Sequence, residues 1–190
     1  MSNELQKSLE FERNRVDEAL EEISKKNAEL EEKLILLEKH DRKYNILIYG
    51  VEKKQNKDIS KVVYNFFAEQ LELDEEILLS VRFANLHRLR SYENDKRGPP
   101  AILVKFIHYH DRDLIMGNSY KLQSGFRILS DLPVVMKKER SRLATIAYKL
   151  RKEKYLKTRI RDSGTQMILE TRKTKEDRWT IHKTALNSSS

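Results

Sequence analysis

The chain has 190 residues, a mean hydropathy of −0.73 and a formal net charge of +8. At this length and polarity it can bury one or two small cores beside a non-globular segment, which excludes a large enzyme. No apolar run reaches the roughly eighteen residues that a membrane span requires, and residues 1–20 are too acidic for a signal peptide. The sequence has no cysteine, which excludes a disulfide framework, a zinc knuckle and a thiol nucleophile and is typical of an intracellular protein.

The charge is distributed unevenly along the chain. Residues 1–40 carry 7 Lys or Arg and 11 Asp or Glu, residues 41–132 carry 15 and 13, and residues 133–190 carry 16 and 6. The last segment therefore has a net charge of +10, whereas the first has −4. This asymmetry predicts that the C-terminal third binds a polyanion, and the alternative is a basic surface that is merely solvated.

The first forty residues contain a heptad repeat. Its two seams contain two polar residues, Arg13 and Asn27, among apolar ones, and the predicted contacts between copies are Leu9, Val16, Leu20, Ile23, Asn27, Leu30, Leu34 and Leu37. This spacing predicts a coiled coil over residues 1–40 that joins several copies of the chain. β-Branched residues in one seam favour more than two strands and a buried asparagine favours two, so the number of strands stays open. The alternative is one amphipathic helix packed on its own domain.

Strands and helices alternate in the middle of the chain. The hydrophobic pattern predicts four strands, near residues 44–51, 81–89, 101–107 and 126–129. Asp58 is placed to cap a helix after the first strand, and Asp111 is placed to cap a second helix that continues to Leu122. Residues 90–100 have the composition of a mobile connection. The order βαββαβ predicts a ferredoxin-like, RNA-recognition-like domain over residues 41–131, an antiparallel sheet with two helices on one face and an open opposite face.

The predicted open face lacks the side chains that usually bind bases. RNA-recognition domains share this order of elements and stack single-stranded bases on aromatic residues of the two central strands. Here those strands present Leu47, Tyr49, Leu103 and Lys105. Because the aromatic-rich signature is missing, the sequence does not predict base stacking across this sheet.

Residues 132–183 predict a small, basic α+β domain, followed by a flexible tail at 184–190. Pro133 can open a helix that runs to about Tyr155, and a hairpin with a last strand near Trp179 follows. Cations and tyrosines share one flank of the helix, and two arginines lie near the hairpin turn: Lys137, Arg140, Tyr148, Arg151, Tyr155, Arg159 and Arg161. This combination suits single strands, because cations neutralise phosphates while rings stack on any base. The alternative is that the tyrosines pack and the cations are solvated.

Five segments in this order resemble the first-open-reading-frame proteins of LINE-type non-LTR retrotransposons. They are NILIYGV (45–51), LHRL (86–89), PPAILVKF (99–106), SDLP (130–133) and the basic helix that follows. That family combines a trimerising coiled coil, an RNA-recognition domain and a small basic C-terminal domain, so the resemblance covers nearly the whole chain. The baculoviral few-polyhedra protein is a more distant resemblance with the same order of parts.

The resemblance implies a nucleic-acid chaperone that binds single-stranded RNA, and also DNA, without sequence preference. It would act without a cofactor in a retrotransposon ribonucleoprotein of the cytoplasm, with the nucleus as a second location. The nucleic-acid contacts carried over are Arg88, Arg90, Lys96, Arg97, Lys105 and Arg140. The chain departs from the family at Leu47, where an arginine is frequent, and at Asp162, where the hairpin often has an aromatic residue.

No catalytic or metal site is predicted. The sequence has no glycine-rich phosphate loop and no nucleophile elbow, and His108, His110 and Asp111 form the only cluster of ligand types, where a helix cap is also needed. We therefore predict an oligomer that binds nucleic acid in a cleft between its middle and C-terminal domains. The alternative is a structural adaptor, a domesticated or viral relative, that binds protein partners.

Overall fold

The structure is a computed structural model that describes residues 2–53, 58–90 and 98–182, without the side chains of residues 2 and 3. The described chain combines helices with antiparallel sheets, so the α+β prediction is confirmed. It divides into two compact units, the first formed by residues 1–39 together with 133–190 and the second by residues 40–132. None of the described helices has both the length and the apolar character that crossing a membrane would require.

One long helix, α1 (Ser2–Arg42), contains the predicted coiled-coil segment. It has 41 residues and a length of about 60 Å. Neither proline nor glycine occurs before Gly50, so no strong helix breaker interrupts it. The apolar side chains of the heptad repeat are exposed in the single chain, from 54% at Ile23 to 69% at Leu37.

A different face of α1 packs within the first unit. Ile35 and Lys39 are half-buried, and Lys39 Nζ lies 2.6 Å from Asp162 Oδ2 and 2.9 Å from the carbonyl oxygen of Gly164. At 100° per residue, Ile35 and Lys39 point about 160° away from Leu37. The alternative in which the apolar stripe is buried on the chain's own domain is therefore wrong.

In the second unit, four strands form an antiparallel sheet in the order β2-β3-β1-β4. The strands are β1 (Asn45–Tyr49), β2 (Phe83–Arg88), β3 (Ile102–Phe106) and β4 (Arg127–Ser130). Because β3 is antiparallel to both β1 and β2, these two strands are parallel to each other and need a long helical connection. All four strands lie near their predicted positions.

Three helices and one turn of 3-10 helix connect these strands. They are α2 (Ile59–Leu71), α3 (Glu75–Ser80), α4 (Tyr109–Gly117) and the 3-10 turn (Ser119–Lys121). The predicted cap of α2 is confirmed, because Asp58 Oδ1 accepts a hydrogen bond from the Ser60 N–H at 2.9 Å. The sequence does not predict α3, because six residues are too few to reveal a helical period.

The predicted cap of the next helix is wrong. α4 begins at Tyr109 with His108 as its N-cap residue, so Asp111 lies inside the first turn. There its buried carboxylate is near the positive end of the helix dipole, and Oδ2 accepts a hydrogen bond from the Arg82 N–H at 3.5 Å. The helix ends at Gly117, and Leu122 follows the 3-10 turn. Within the described residues, no three His, Asp or Glu side chains are arranged to hold a metal ion.

The core of the second unit lies between the sheet and its helices. Alternate residues of the strands bury their side chains against α2, α3 and α4; the set includes Ile46, Ile48, Val63, Phe66, Phe67, Leu71, Leu78, Ile102, Val104, Phe106, Ile115 and Ile128. This alternation follows from the two-residue period of a strand and sets the register of all four strands.

The opposite face of the sheet is not open at its centre. Leu47 is only 3% exposed, and its partners across the two neighbouring strands are Leu103 and Leu129. Three adjacent leucine side chains are more stable when they are buried than in contact with water. The prediction of an open sheet face is therefore wrong at the centre of this face. The exposed positions of this face, Asn85 and His87 on β2 and Arg127 on β4, lie on the two edge strands.

The C-terminal part of the first unit is a helix on a small sheet. α5 (Val134–Lys154) lies against β5 (Lys157–Ser163) and β6 (Gln166–Arg172), and a short β7 (Thr180–Ile181) completes the strand order β5-β6-β7. The predicted helix and hairpin are both confirmed within two or three residues. The buried side chains between the helix and the sheet are Met136, Leu143, Ala147, Leu150, Met167 and Leu169.

Candidate nucleic-acid interface

One side of α5 carries cations and tyrosines in alternation. At 100° per residue, positions 137, 140, 144, 148, 151 and 155 fall within an arc of about 80°. They are occupied by Lys137, Arg140, Ala144, Tyr148, Arg151 and Tyr155. Tyr148 and Tyr155 are 58% and 86% exposed. We call this set the α5 stripe, and it brings together five of the residues that the sequence predicts to bind nucleic acid.

The C-terminal end of the α5 stripe is fixed by the backbone and by one side chain. Tyr155 is the C-cap residue of α5, and the N–H groups of Tyr155 and Leu156 both donate to the carbonyl oxygen of Leu150. Arg151 Nη1 donates to Thr158 Oγ1 at 2.7 Å and so connects the helix to β5. The orientation of the stripe is therefore fixed relative to the small sheet.

The small sheet presents a second group of cations. The pairing of β5 with β6 places Lys157 opposite Arg172, and Arg159 opposite Glu170. Residues that pair directly across strands share a face, and residues two apart on one strand do so as well. Lys157, Arg159, Arg161, Glu170 and Arg172 therefore lie on one face, which we call the cationic sheet face. Met167 and Leu169 occupy the other face, toward α5.

A buried carboxylate organises the cationic sheet face. Glu170 is 5% exposed, and its Oε2 accepts a hydrogen bond from Arg159 Nε at 2.6 Å. Its Oε1 lies 3.0 Å from Arg161 Nη2. The hydrogen bond from Arg161 and the second one from Arg159 lower the pKa of Glu170 below its ordinary value. The carboxylate of Glu170 thus holds the guanidinium groups of Arg159 and Arg161 in place. The three side chains together keep a net positive charge.

The single tryptophan of the chain supports two of these arginines. The Cζ atoms of Arg159 and Arg172 lie 4.5 Å and 4.4 Å from the ring centroid of Trp179. These distances correspond to cation–π contacts, which orient each guanidinium plane. The sequence prediction missed Lys157, Glu170, Arg172 and Trp179. The alternating cations of β5 signal a common face, but nothing in the sequence shows that Trp179 lies beneath them.

Arg88, a predicted nucleic-acid contact, is engaged within the second unit. Its Nη1 donates to the carbonyl oxygens of Val51 at 2.8 Å and Pro100 at 3.0 Å, and its Nη2 donates to that of Glu52 at 2.7 Å. Burial lowers the pKa of its guanidinium. These bonds join three separate segments of the chain, so the structure gives Arg88 a role in the fold.

The other predicted contacts of the second unit differ in their surroundings. Arg90 is exposed, whereas Lys105 is 38% exposed and lies 3.7 Å from Asp41. Lys96 and Arg97 lie outside the described residues. In the first unit, Asp162 bonds to Lys39, which explains how this chain uses the hairpin position where the resembling family often has an aromatic residue.

Comparison with known proteins adds no identification. No protein-family model matches the chain, and no curated protein is similar to it at a significant level.

We predict that Arg88→Met destabilises the second unit. Removing three hydrogen bonds from a charged donor, two of them partly buried, leaves their carbonyl oxygens without this partner, which we expect to lower the free energy of unfolding by about 2 kcal/mol. The measurement is urea denaturation of the full chain. Arg90→Met is the matched control, and its effect should stay within about 0.5 kcal/mol because Arg90 is exposed. Equal effects of the two substitutions would contradict the role assigned to Arg88.

We predict that Glu170→Gln changes how stability depends on pH. The folded-state pKa of Glu170 is lowered, so its ion pairs stabilise the fold above the unfolded pKa and lose this effect as the pH falls through the folded value. Wild type should therefore be more stable than Glu170→Gln at neutral pH, and the difference should shrink as the pH falls below the ordinary pKa of a glutamate and through the lowered folded-state pKa. Thermal denaturation across this range measures it. The exposed Glu153→Gln is the control, and a wild-type advantage that does not change with pH would refute the prediction.

Proposed function

We propose that this protein binds single-stranded nucleic acid without sequence preference and acts as a chaperone, as an oligomer, in a retrotransposon ribonucleoprotein. The observation that carries the proposal is the α5 stripe, where exposed tyrosines alternate with cations on a unit of high positive charge. Cations neutralise phosphates of any sequence, and rings stack on any unpaired base. Neither contact reads the identity of a base.

The arrangement of the second unit supports an RNA-recognition-like domain. The strand order β2-β3-β1-β4, with helices covering one face, is the order expected of a ferredoxin-like βαββαβ fold. The buried Leu47 and the partly buried Leu103 and Leu129 at the centre of the other face argue against base stacking there. In our proposal this unit contributes the exposed Arg90 and the partly exposed Lys105, and the tyrosines of the first unit contribute the stacking.

The exposed stripe of α1 supports oligomerisation. Seven apolar side chains from Leu9 to Leu37, each more than half exposed, follow the heptad spacing along about 42 Å of helix. An apolar stripe of this length is unfavourable in water and is typical of a coiled-coil seam. Joining several copies gives avidity for one long strand, while individual contacts remain weak enough to exchange, as a chaperone requires.

The salt dependence of RNA binding tests the phosphate contacts. Each phosphate that is neutralised on a single strand contributes about 0.7 to the slope of log affinity against log salt, so we expect a slope of about −3 or steeper. Arg151→Gln should lower the affinity and reduce the steepness by about 0.7. Lys149→Gln is the control, because Lys149 lies on the same helix about 140° from the stripe. A slope near zero would exclude this mechanism and favour the protein-binding adaptor.

The mass of the protein in solution tests the coiled coil. We expect analytical ultracentrifugation to show a trimer or a dimer for wild type and a single copy for the double substitution Leu30→Asp with Leu34→Asp, because charges in the seam cannot be buried together. Exposed Glu29→Gln with Glu32→Gln, outside the two seams, is the control. A wild type that sediments as one copy at high protein concentration would overturn the proposed oligomer.

A further inference from the structure

Tyr155 has a backbone conformation that suits glycine. Its φ is +54° and its ψ is 25°, in the left-handed region, at the C-cap of α5. Among the described residues, only Glu72 and Tyr155 reach positive φ without being glycine. Glycine is the common residue at this kind of helix end, because a Cβ is crowded there. A bulky aromatic residue at this position is therefore unfavourable for stability and calls for another explanation.

The side chain of Tyr155 contributes little to the fold. It is 86% exposed, more than any other large apolar or aromatic side chain in the described residues. Within the same residues, its ring makes no contact with another ring or with a cation. Neither packing nor a local interaction accounts for a tyrosine at this helix end.

The position of Tyr155 gives its ring suitable neighbours. It ends the α5 stripe, about 10 Å along the helix from Tyr148. The exposed side chains of Arg151 and Lys152 lie in the turn between them. The exposed ring of Tyr155 can stack on a base. The adjacent cations can neutralise the phosphates that flank this base. The helix end thus has the parts of a binding position for one nucleotide.

We propose that Tyr155 is a base-stacking residue that gives the protein its preference for unpaired nucleotides. This inference rests on the proposed function and assigns its preference for single strands to one side chain. The cations of the α5 stripe attract any polyanion, whether duplex, single strand or abasic chain. The ring of Tyr155 can stack only on a base that is unpaired and can separate from the bases next to it. Affinity then comes mainly from the cations, and discrimination between single strand and duplex comes from the ring.

The test compares two oligonucleotides that share the same sugar-phosphate chain. One is a short single-stranded oligonucleotide with all its bases, and the other is an abasic oligomer of equal length. Fluorescence anisotropy gives the affinity of the full-length wild type and of Tyr155→Gly for each. Stacking on one base is worth about a fivefold to hundredfold change in affinity. We expect Tyr155→Gly to lose at least about fivefold toward the base-bearing oligonucleotide and to bind the abasic oligomer as wild type does.

Two further variants separate stacking from folding. Glycine is compatible with the left-handed backbone, so the thermal midpoint of Tyr155→Gly should equal or exceed that of wild type. Tyr155→Phe keeps a ring and should bind both oligomers as wild type does. Tyr120→Gly removes another exposed tyrosine, 80% exposed in the second unit, and should leave the preference for bases unchanged.

The outcomes distinguish this inference from the proposed function. If Tyr155→Gly keeps the wild-type preference for the base-bearing oligonucleotide, the stacking role is wrong while nucleic-acid binding stands. If it loses equal affinity for both oligomers, Tyr155 supports the surface and does not stack, which also overturns the inference. If wild type binds neither oligomer at low salt, the proposed function itself fails.

Discussion

The second unit depends on one guanidinium group. Arg88, at the end of β2, donates to carbonyl oxygens of Val51, Glu52 and Pro100, which lie after β1 and before β3. A charged donor with three carbonyl partners connects the ends of three chain segments at once, and two of these hydrogen bonds are partly buried. Asn45, at the start of β1, likewise donates to Asp131, just after β4. Hydrogen bonds from Arg88 and Asn45 therefore connect the ends of all four strands of the second unit.

The first unit is subject to a different constraint, the repulsion among its own positive charges. Residues 133–190 carry 16 cations and 6 carboxylates. Glu170 offsets part of this repulsion by bonding Arg159 and Arg161 from a buried position, and Trp179 orients Arg159 and Arg172. The cations are thereby held in place at one surface, which lowers the entropy that a bound strand would cost. High charge and fixed geometry are what a site for a flexible polyanion needs.

The two units thus use arginine differently, and the difference bears on function. The guanidinium of Arg88 bonds to three backbone carbonyl groups and stabilises the fold. Arg159 and Arg161 share one carboxylate at an exposed face, so they still present positive charge to solvent. The apolar stripe of α1 adds a third element, because it is exposed in the single chain and repeats every seven residues. In the proposed oligomer, each copy would add one more cationic surface for the same strand.

The sequence by itself determined the long helix, the positions of the four strands, the cap at Asp58 and the helix and hairpin of the basic segment. These features follow from local periodicity and composition, which do not require knowledge of distant partners. Only the tertiary structure decided that Leu47 is buried, that Asp111 lies inside α4, that Arg88 bonds to three carbonyl groups and that Trp179 supports two arginines. Each of these depends on residues far apart in the chain, so the physical reason is long-range packing, which a pattern along one segment cannot encode.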